Sequence, residues 1–344
     1  MSVPGVRPAG YLAIGLTLLA LLAPERTMFA LRAEAPVVVV VQKVANSLGL
    51  YDSVTGTPIW TAEVGERPHE LVLSAGERYA YVTDYGVGTY TDPAEGGHTV
   101  SIVDLQKGQR TGVVDLGRFR RPHGIALGFS GRVYVTVDHP AAVLEIDIDG
   151  KRVAAEHLLD QALPHMVVVS RDEQTLFTAN AGAGTVSRID RRPEGEVRSV
   201  TVGGVPMGLA LSRDGARLYV ATSGQNTVVV VDTASLAVVE RLPVVGAPAR
   251  VKLTPDDKFL LVTLIASGQL AVIDMASRHE VTRLAIGAAA EGVTIDTRSG
   301  FGYASAQGAN RMVKFSLTDW RPVLEIATGA SPDPMEVFQR TIAP

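Results

Sequence analysis

The chain has 344 residues, 46% of them hydrophobic and 20% charged, with a formal net charge of −4 and no cysteine. That composition is ample for a large core and far from that of a disordered protein. The mild negative charge gives no sequence-independent attraction to nucleic acid, and the lack of thiols excludes disulfides, Cys-ligated zinc and thiolate nucleophiles.

Residues 1–35 read as an export segment. Arg7 precedes an apolar run from Tyr11 to Ala23, which Pro24 and Glu25 end, the pattern of a secretory signal. The run is shorter than the roughly 20 apolar residues that a membrane span requires. Ala33-Glu34-Ala35 fits the small-x-small cleavage rule, but Pro36 would follow the cut, so cleavage near Ala30 and retention as an anchor both stay open. The segment predicts a periplasmic or extracellular protein that touches a membrane only through this stretch. A chain without thiols is compatible with such an oxidising compartment.

Residues 36–344 read as one domain. Residues 37 to 64 supply three short β-branched pieces, and after them a longer phrase recurs. It is clearest from Val205 to Leu242: an apolar piece, an Asp-Gly turn, Leu218-Tyr-Val-Ala-Thr222, then Asn226 through Asp232, then Val238 through Leu242. Gly, Asp, Ser and Asn separate its four pieces, and none carries a helical period, so each phrase predicts four strands.

Aligning the phrases on one position of the first strand gives His69, His123, His165, Met207, Ala249, Glu291 and Asp333. From His123 onward the spacing is 42 residues, whereas His69 to His123 is 54. The 12 extra residues fall between Asp84 and His98, joining the second and third strands of that repeat. Four strands at this period are the signature of a β-propeller. The first repeat lacks an innermost strand, and Pro332 to Phe338 supplies the missing phrase at the other end. The predicted fold is therefore all-β, a seven-bladed β-propeller whose C-terminal inner strand joins the N-terminal blade, leaving no open sheet edge.

Tyr79-Ala-Tyr-Val-Thr83, Arg132-Val-Tyr-Val-Thr136 and Leu218-Tyr-Val-Ala-Thr222 resemble the Tyr-Val-Thr-Asn (YVTN) family of propeller repeats over about residues 37 to 338. The last signature position departs from Asn at Asp84, Val137, Ser223 and Leu264 and keeps it at Asn180. The resemblance implies an exported seven-bladed propeller. Its relatives include DNA-associated periplasmic proteins, surface-layer proteins, amine dehydrogenase heavy chains and lactonase-like enzymes, so it implies no single activity.

Propeller topology sorts polar residues by face. Asp104, Asp147, Asp190, Asp232 and Asp274 close third strands on the side away from the channel mouth, where Asx turns account for them. Gly182-Ala-Gly184 and Gly86-Val-Gly88 join strands with no following helix to supply free N–H groups, so they do not predict a phosphate cradle. No Gly-x-Ser-x-Gly elbow is present.

The histidines carry the functional signal. His69, His123 and His165 hold one repeat position on consecutive blades, next to Asp333 on one side and Met207 on the other, with Glu291 beyond Asp333; His98 and His139 lie in neighbouring loops. Imidazoles and carboxylates converging near an axis would suit a divalent metal ion. The same rings would equally line a wet channel. Arg67, Arg118, Arg120, Arg121 and Arg250 share this face and would recognise an anion. The insertion, with Tyr85, Tyr90, Asp92 and Glu95, would then cover the channel mouth or dock a partner.

Two functions fit. One is an exported propeller that binds a small anionic ligand or another exported protein at its channel face. The other is a metal-dependent enzyme of lactonase, hydrolase or lyase type, with the metal held among His69, His123, His165, Asp333 and Glu291.

Overall fold

The computed structural model describes residues 1–2, 34–192 and 194–341. Arg7 and the apolar run of the expected export segment lie outside them. Among the described residues no helix is long and apolar enough to cross a membrane.

Seven four-stranded antiparallel sheets stand in a ring, as the repeat predicts. In blade 1 the C-terminal strand Pro332–Thr341 is innermost, followed by Glu34–Gln42, Ser47–Asp52 and Pro58–Glu63. Blades 2 to 7 follow in chain order, with inner strands Pro68–Leu73, Arg120–Leu127, Pro164–Val169, Pro206–Leu211, Pro248–Leu253 and Ala290–Asp296. The chain becomes a strand at Glu34, two residues before the domain boundary read from the sequence.

Local composition follows position in the blade. Second and third strands are sandwiched between neighbouring blades, so both of their faces are apolar: Val228 to Val231 are all buried, a run of stiff β-branched side chains suited to a two-sided sheet. Outer strands meet solvent on one side. Arg152–Leu158 accordingly alternates between exposed and half-buried residues, the period-two pattern of a strand with one wet face. Asp104 Oδ1 accepts the Gln106 and Lys107 N–H groups, and Asp274 Oδ1 those of Ala276 and Ser277. These are the turn roles expected of the recurring aspartates.

Ring closure depends on blade 1. Val37 pairs with Phe338 and Val39 with Glu336, and Phe338 is buried among Val37, Val39, Val41 and Leu48.

One irregularity recurs in every inner strand. In blade 2, Pro68 pairs with Asp84 and Leu71 with Val82, so His69 and Glu70 together face Thr83. The same two-against-one register places His123 and Gly124 opposite Thr136, and Asp333 and Pro334 opposite Val41. It also recurs at His165, Met207, Ala249 and Glu291. A bulge bends its strand and re-aims side chains, so seven bulges at one level create a ring of redirected residues at the channel mouth.

Phe338→Ala should cost about 3–5 kcal/mol through the cavity left in the closing blade, read as a shifted denaturation midpoint. Val323→Ala, on an exposed outer strand, should stay within about 0.5 kcal/mol. Equal effects of the two would contradict the closure described here.

Candidate functional site

The bulge residues are fixed by hydroxyl groups of the second strands. Thr83 Oγ1 accepts the Glu70 N–H at 2.9 Å and donates to the His123 carbonyl of the next blade at 2.8 Å. Thr136 does the same for the Gly124 N–H and the His165 carbonyl, and Thr263 for the Arg250 N–H and the Glu291 carbonyl. The threonine of the repeat signature is thus a clasp between neighbouring bulges. Backbone groups in the interior need partners, and this hydroxyl supplies one to each.

The clasps bring His69, His123 and His165 together. Ring centroids are 3.7 Å apart for His69 and His123, 3.9 Å for His123 and His165, and 6.4 Å for the outer two. Tyr85 closes one side, with its ring edge-on to His69 at 5.4 Å and to His123 at 5.3 Å. The Nδ1 atoms of all three histidines are buried without a hydrogen-bond partner. One ligand atom each from His69, Glu70 and His123 lie within 4.8 Å of one another.

Beneath the imidazoles lies a charged layer. Lys43 Nζ sits 2.7 Å from His69 Nε2 and donates to Asp333 Oδ2 at 3.1 Å. Arg250 of blade 6 donates to Glu70 of blade 2 and stands 4.0 Å from Asp333. His69 Nδ1 is 3.5 Å from Glu70 Oε1. Three acids, Glu70, Glu291 and Asp333, therefore face two bases, Lys43 and Arg250. Burial raises the Glu70 carboxyl, to about 8, more than Arg250 lowers it, and burial with the Asp333 charge raises Glu291. Burial also holds the three imidazoles well below their ordinary range, with neighbouring imidazoles and the Lys43 and Arg250 charges adding to the effect. They are neutral at physiological pH, the form that donates lone pairs.

Above this layer opens a cavity of about 350 Å³, lined by the three histidines, Tyr85, Asp138, Met207 and Glu291, among others. The insertion forms part of its rim through Gly88, Thr89 and Tyr90. Arg121 secures that rim by donating to the carbonyls of Tyr90, Asp92 and Ala94. Arg120 pairs with Glu95 at 2.7 Å. The Tyr85 hydroxyl donates to Asp138 Oδ2 at 2.9 Å, and burial pushes Asp138 up to about 7 against the pull of that hydroxyl and of Arg121.

The sequence-derived ring divides as follows. The three histidines, Met207 and Glu291 line the cavity, while Asp333 is fully buried on Lys43. Arg120, Arg121 and Arg250 are engaged by the protein itself, and Arg67, His98 and His139 do not line the cavity. The clustered metal-type group draws its carboxylate from Glu70 rather than from Asp333 or Glu291. Glu70, Lys43 and Asp138 were not read from the sequence. A signal for Glu70 was present, since glycine follows the ring residue at Gly124, Gly208 and Gly292 but a charge follows it at Glu70 and Arg250.

Fold and site together define a seven-bladed propeller with a histidine-lined pocket at its channel mouth. Known structures of similar fold include the periplasmic gluconolactonase of Pseudomonas aeruginosa, with TM-score 0.70, 19% identity, and coverage of 89% of this chain and 99% of that one. A 6-phosphogluconolactonase-like propeller of Bacteroides fragilis gives TM-score 0.72 and 15% identity over 88% and 98%. A chain of the Kuenenia stuttgartiensis hydrazine synthase gives 0.70 and 18% over 80% and 91%. At these identities the likeness is one of fold. No family model and no curated protein sequence matches the chain, so the Tyr-Val-Thr-Asn resemblance rests on its own segments.

Folded Asp138 holds its proton at pH values where the unfolded chain has released it, so it costs stability as pH rises from about 4 to about 7. Asp138→Asn should therefore gain in melting temperature on the wild type across that window. A pH-independent offset between the two would refute the burial argument.

Proposed function

We propose that the channel mouth is a small-molecule site organised by a divalent cation on His69, Glu70 and His123, and that the protein is an exported hydrolase of lactone-type esters. The observation that carries this reading is the convergence of one ligand atom from each of the three within 4.8 Å, with the His123 Nδ1 unpartnered; His69 would offer its Nδ1 lone pair only once its Nε2 no longer accepts from Lys43. Two neutral imidazoles and a carboxylate are a common donor set for zinc and related ions; Glu70, whose carboxyl burial raises to about 8, would release its proton on binding the cation. A cation there would polarise a substrate carbonyl.

The chain's own residues supply the rest. His165, stacked on His123 and neutral, is placed to take a proton from water as it adds to the carbonyl carbon. The ring C–O bond then breaks, the ring oxygen takes up a proton, and the product is a hydroxy acid. Lys43 and Arg250 balance the buried carboxylates. The lactone class comes from the gluconolactonase of similar fold, and export from the N-terminal segment.

The alternative expectation, an anionic ligand gripped by arginines, loses its support because Arg120, Arg121 and Arg250 are already engaged. Lys43 is likewise held by Asp333 and does not line the cavity, so the imidazoles are what remain for such a ligand.

Protein purified without a polyhistidine tag should contain about one metal ion per chain by elemental analysis. The double variant His69→Ala/His123→Ala should lose it, with at least about a tenfold fall in affinity, while keeping its β-sheet spectrum. Acid release from added lactones, followed by titration at constant pH, should fall in parallel. Metal-free, folded wild-type protein that also fails to acquire zinc or manganese on titration would overturn the proposal.

A further inference from the structure

We infer that the blade 4 and blade 5 side of the cavity is an apolar subsite, and that the ligand is a lactone bearing a hydrocarbon chain rather than a polyhydroxylated sugar lactone. This rests on the lactone reading for the ring and on a separate observation for the chain.

The cavity has two unlike sides. His69, Tyr85, His123, Asp138 and Glu291 bring most of its ionisable groups from blades 2, 3 and 7, and His165 of blade 4 stands at the boundary beside His123. The opposite wall is Leu163, Pro164, Ala181, Val205 and Met207, from blades 4 and 5, with Ser223 as its one hydroxyl-bearing lining residue. Wall backbone offers little more. The Leu163 carbonyl accepts the Ala181 N–H at 2.8 Å, and the Val205 carbonyl accepts the Ser223 N–H at 3.0 Å. A sugar lactone with its carbonyl at the histidines would press several hydroxyl groups against these side chains, each left without a partner, which binding sites reject strongly. An alkyl chain would instead cover apolar carbon, and the unbranched Met207 thioether adapts to chains of different length.

The site ring itself changes character at this point, from His165 of blade 4 to Met207 of blade 5 and Ala249 of blade 6. The arrangement fits an amphipathic molecule lying across the mouth, carbonyl toward blades 2 and 3 and tail toward blade 5. Buried methylene groups contribute enough transfer free energy to raise affinity roughly fourfold each.

Calorimetric titration of the full-length protein with δ-valerolactone, δ-octalactone, δ-decalactone and D-glucono-δ-lactone tests this. Affinity should climb along the alkyl series by roughly fourfold per methylene until the wall is covered, with the sugar lactone weakest. Met207→Gln and Val205→Asn should flatten the series. Affinity independent of chain length, or tightest for the sugar lactone, would overturn the inference. Chain-length dependence without acid release would keep the subsite and defeat the hydrolase reading, whereas acid release without chain-length dependence would do the reverse.

Discussion

Everything at the channel mouth depends on one hydrogen-bonded device, the threonine that bridges two neighbouring inner-strand bulges. Thr83 and Thr136 each hold a bulge N–H of their own blade and the ring carbonyl of the next. A bulge otherwise leaves a backbone donor and acceptor buried and unmatched, which is costly. Satisfying both with one rigid β-branched side chain fixes the redirected residues relative to each other across the blade boundary. That is why three imidazoles on three different sheets stack at 3.7 and 3.9 Å, although no chain connectivity brings them together. Blades 1, 4 and 5 carry Val41, Ala179 and Ala221 at the clasp position and blade 7 Ser305, so the threonine clasp is confined to blades 2, 3 and 6.

The fold was legible because propeller blades are local: each is one hairpin-connected sheet, so the 42-residue period, the single insertion and the closing strand all lie on the sequence surface. The ring at His69, His123 and His165 was legible for the same reason. What the period did not reveal was the bulge, because a two-against-one register leaves strand composition unchanged. Glu70 was hidden by it, since in an unbroken strand the residue after His69 would point away from its neighbour's side. Lys43 was hidden differently. It enters from a turn of the closing blade and meets Asp333, from the far end of the chain, only once the ring has closed.

The arginines show where type and spacing mislead. Arg120 and Arg121 precede His123 in the position expected of a ligand fork, and guanidinium groups do favour anions. A twelve-residue insertion, however, brings carbonyl groups with no sheet partner. Arg121 collects those of Tyr90, Asp92 and Ala94, converting a long loop into a fixed rim. The sequence showed both the insertion and the arginines, but not that each exists for the other.

The glycines that follow ring residues bear on how such a site changes over evolutionary time. A Cβ at Gly124 would lie 2.3 Å from the His165 carbonyl oxygen, at Gly208 2.6 Å from that of Ala249, and at Gly292 2.2 Å from that of Asp333. Those positions, on blades 3, 5 and 7, are closed to any side chain, whereas blades 1, 2, 4 and 6 carry Pro334, Glu70, Met166 and Arg250 there. New chemistry in the lower layer of the mouth can enter only through the blades that already carry a side chain there, 1, 2, 4 and 6. A lineage of such proteins would diversify its pocket by trading residues at these few sites, with the glycine-bearing blades kept as spacers.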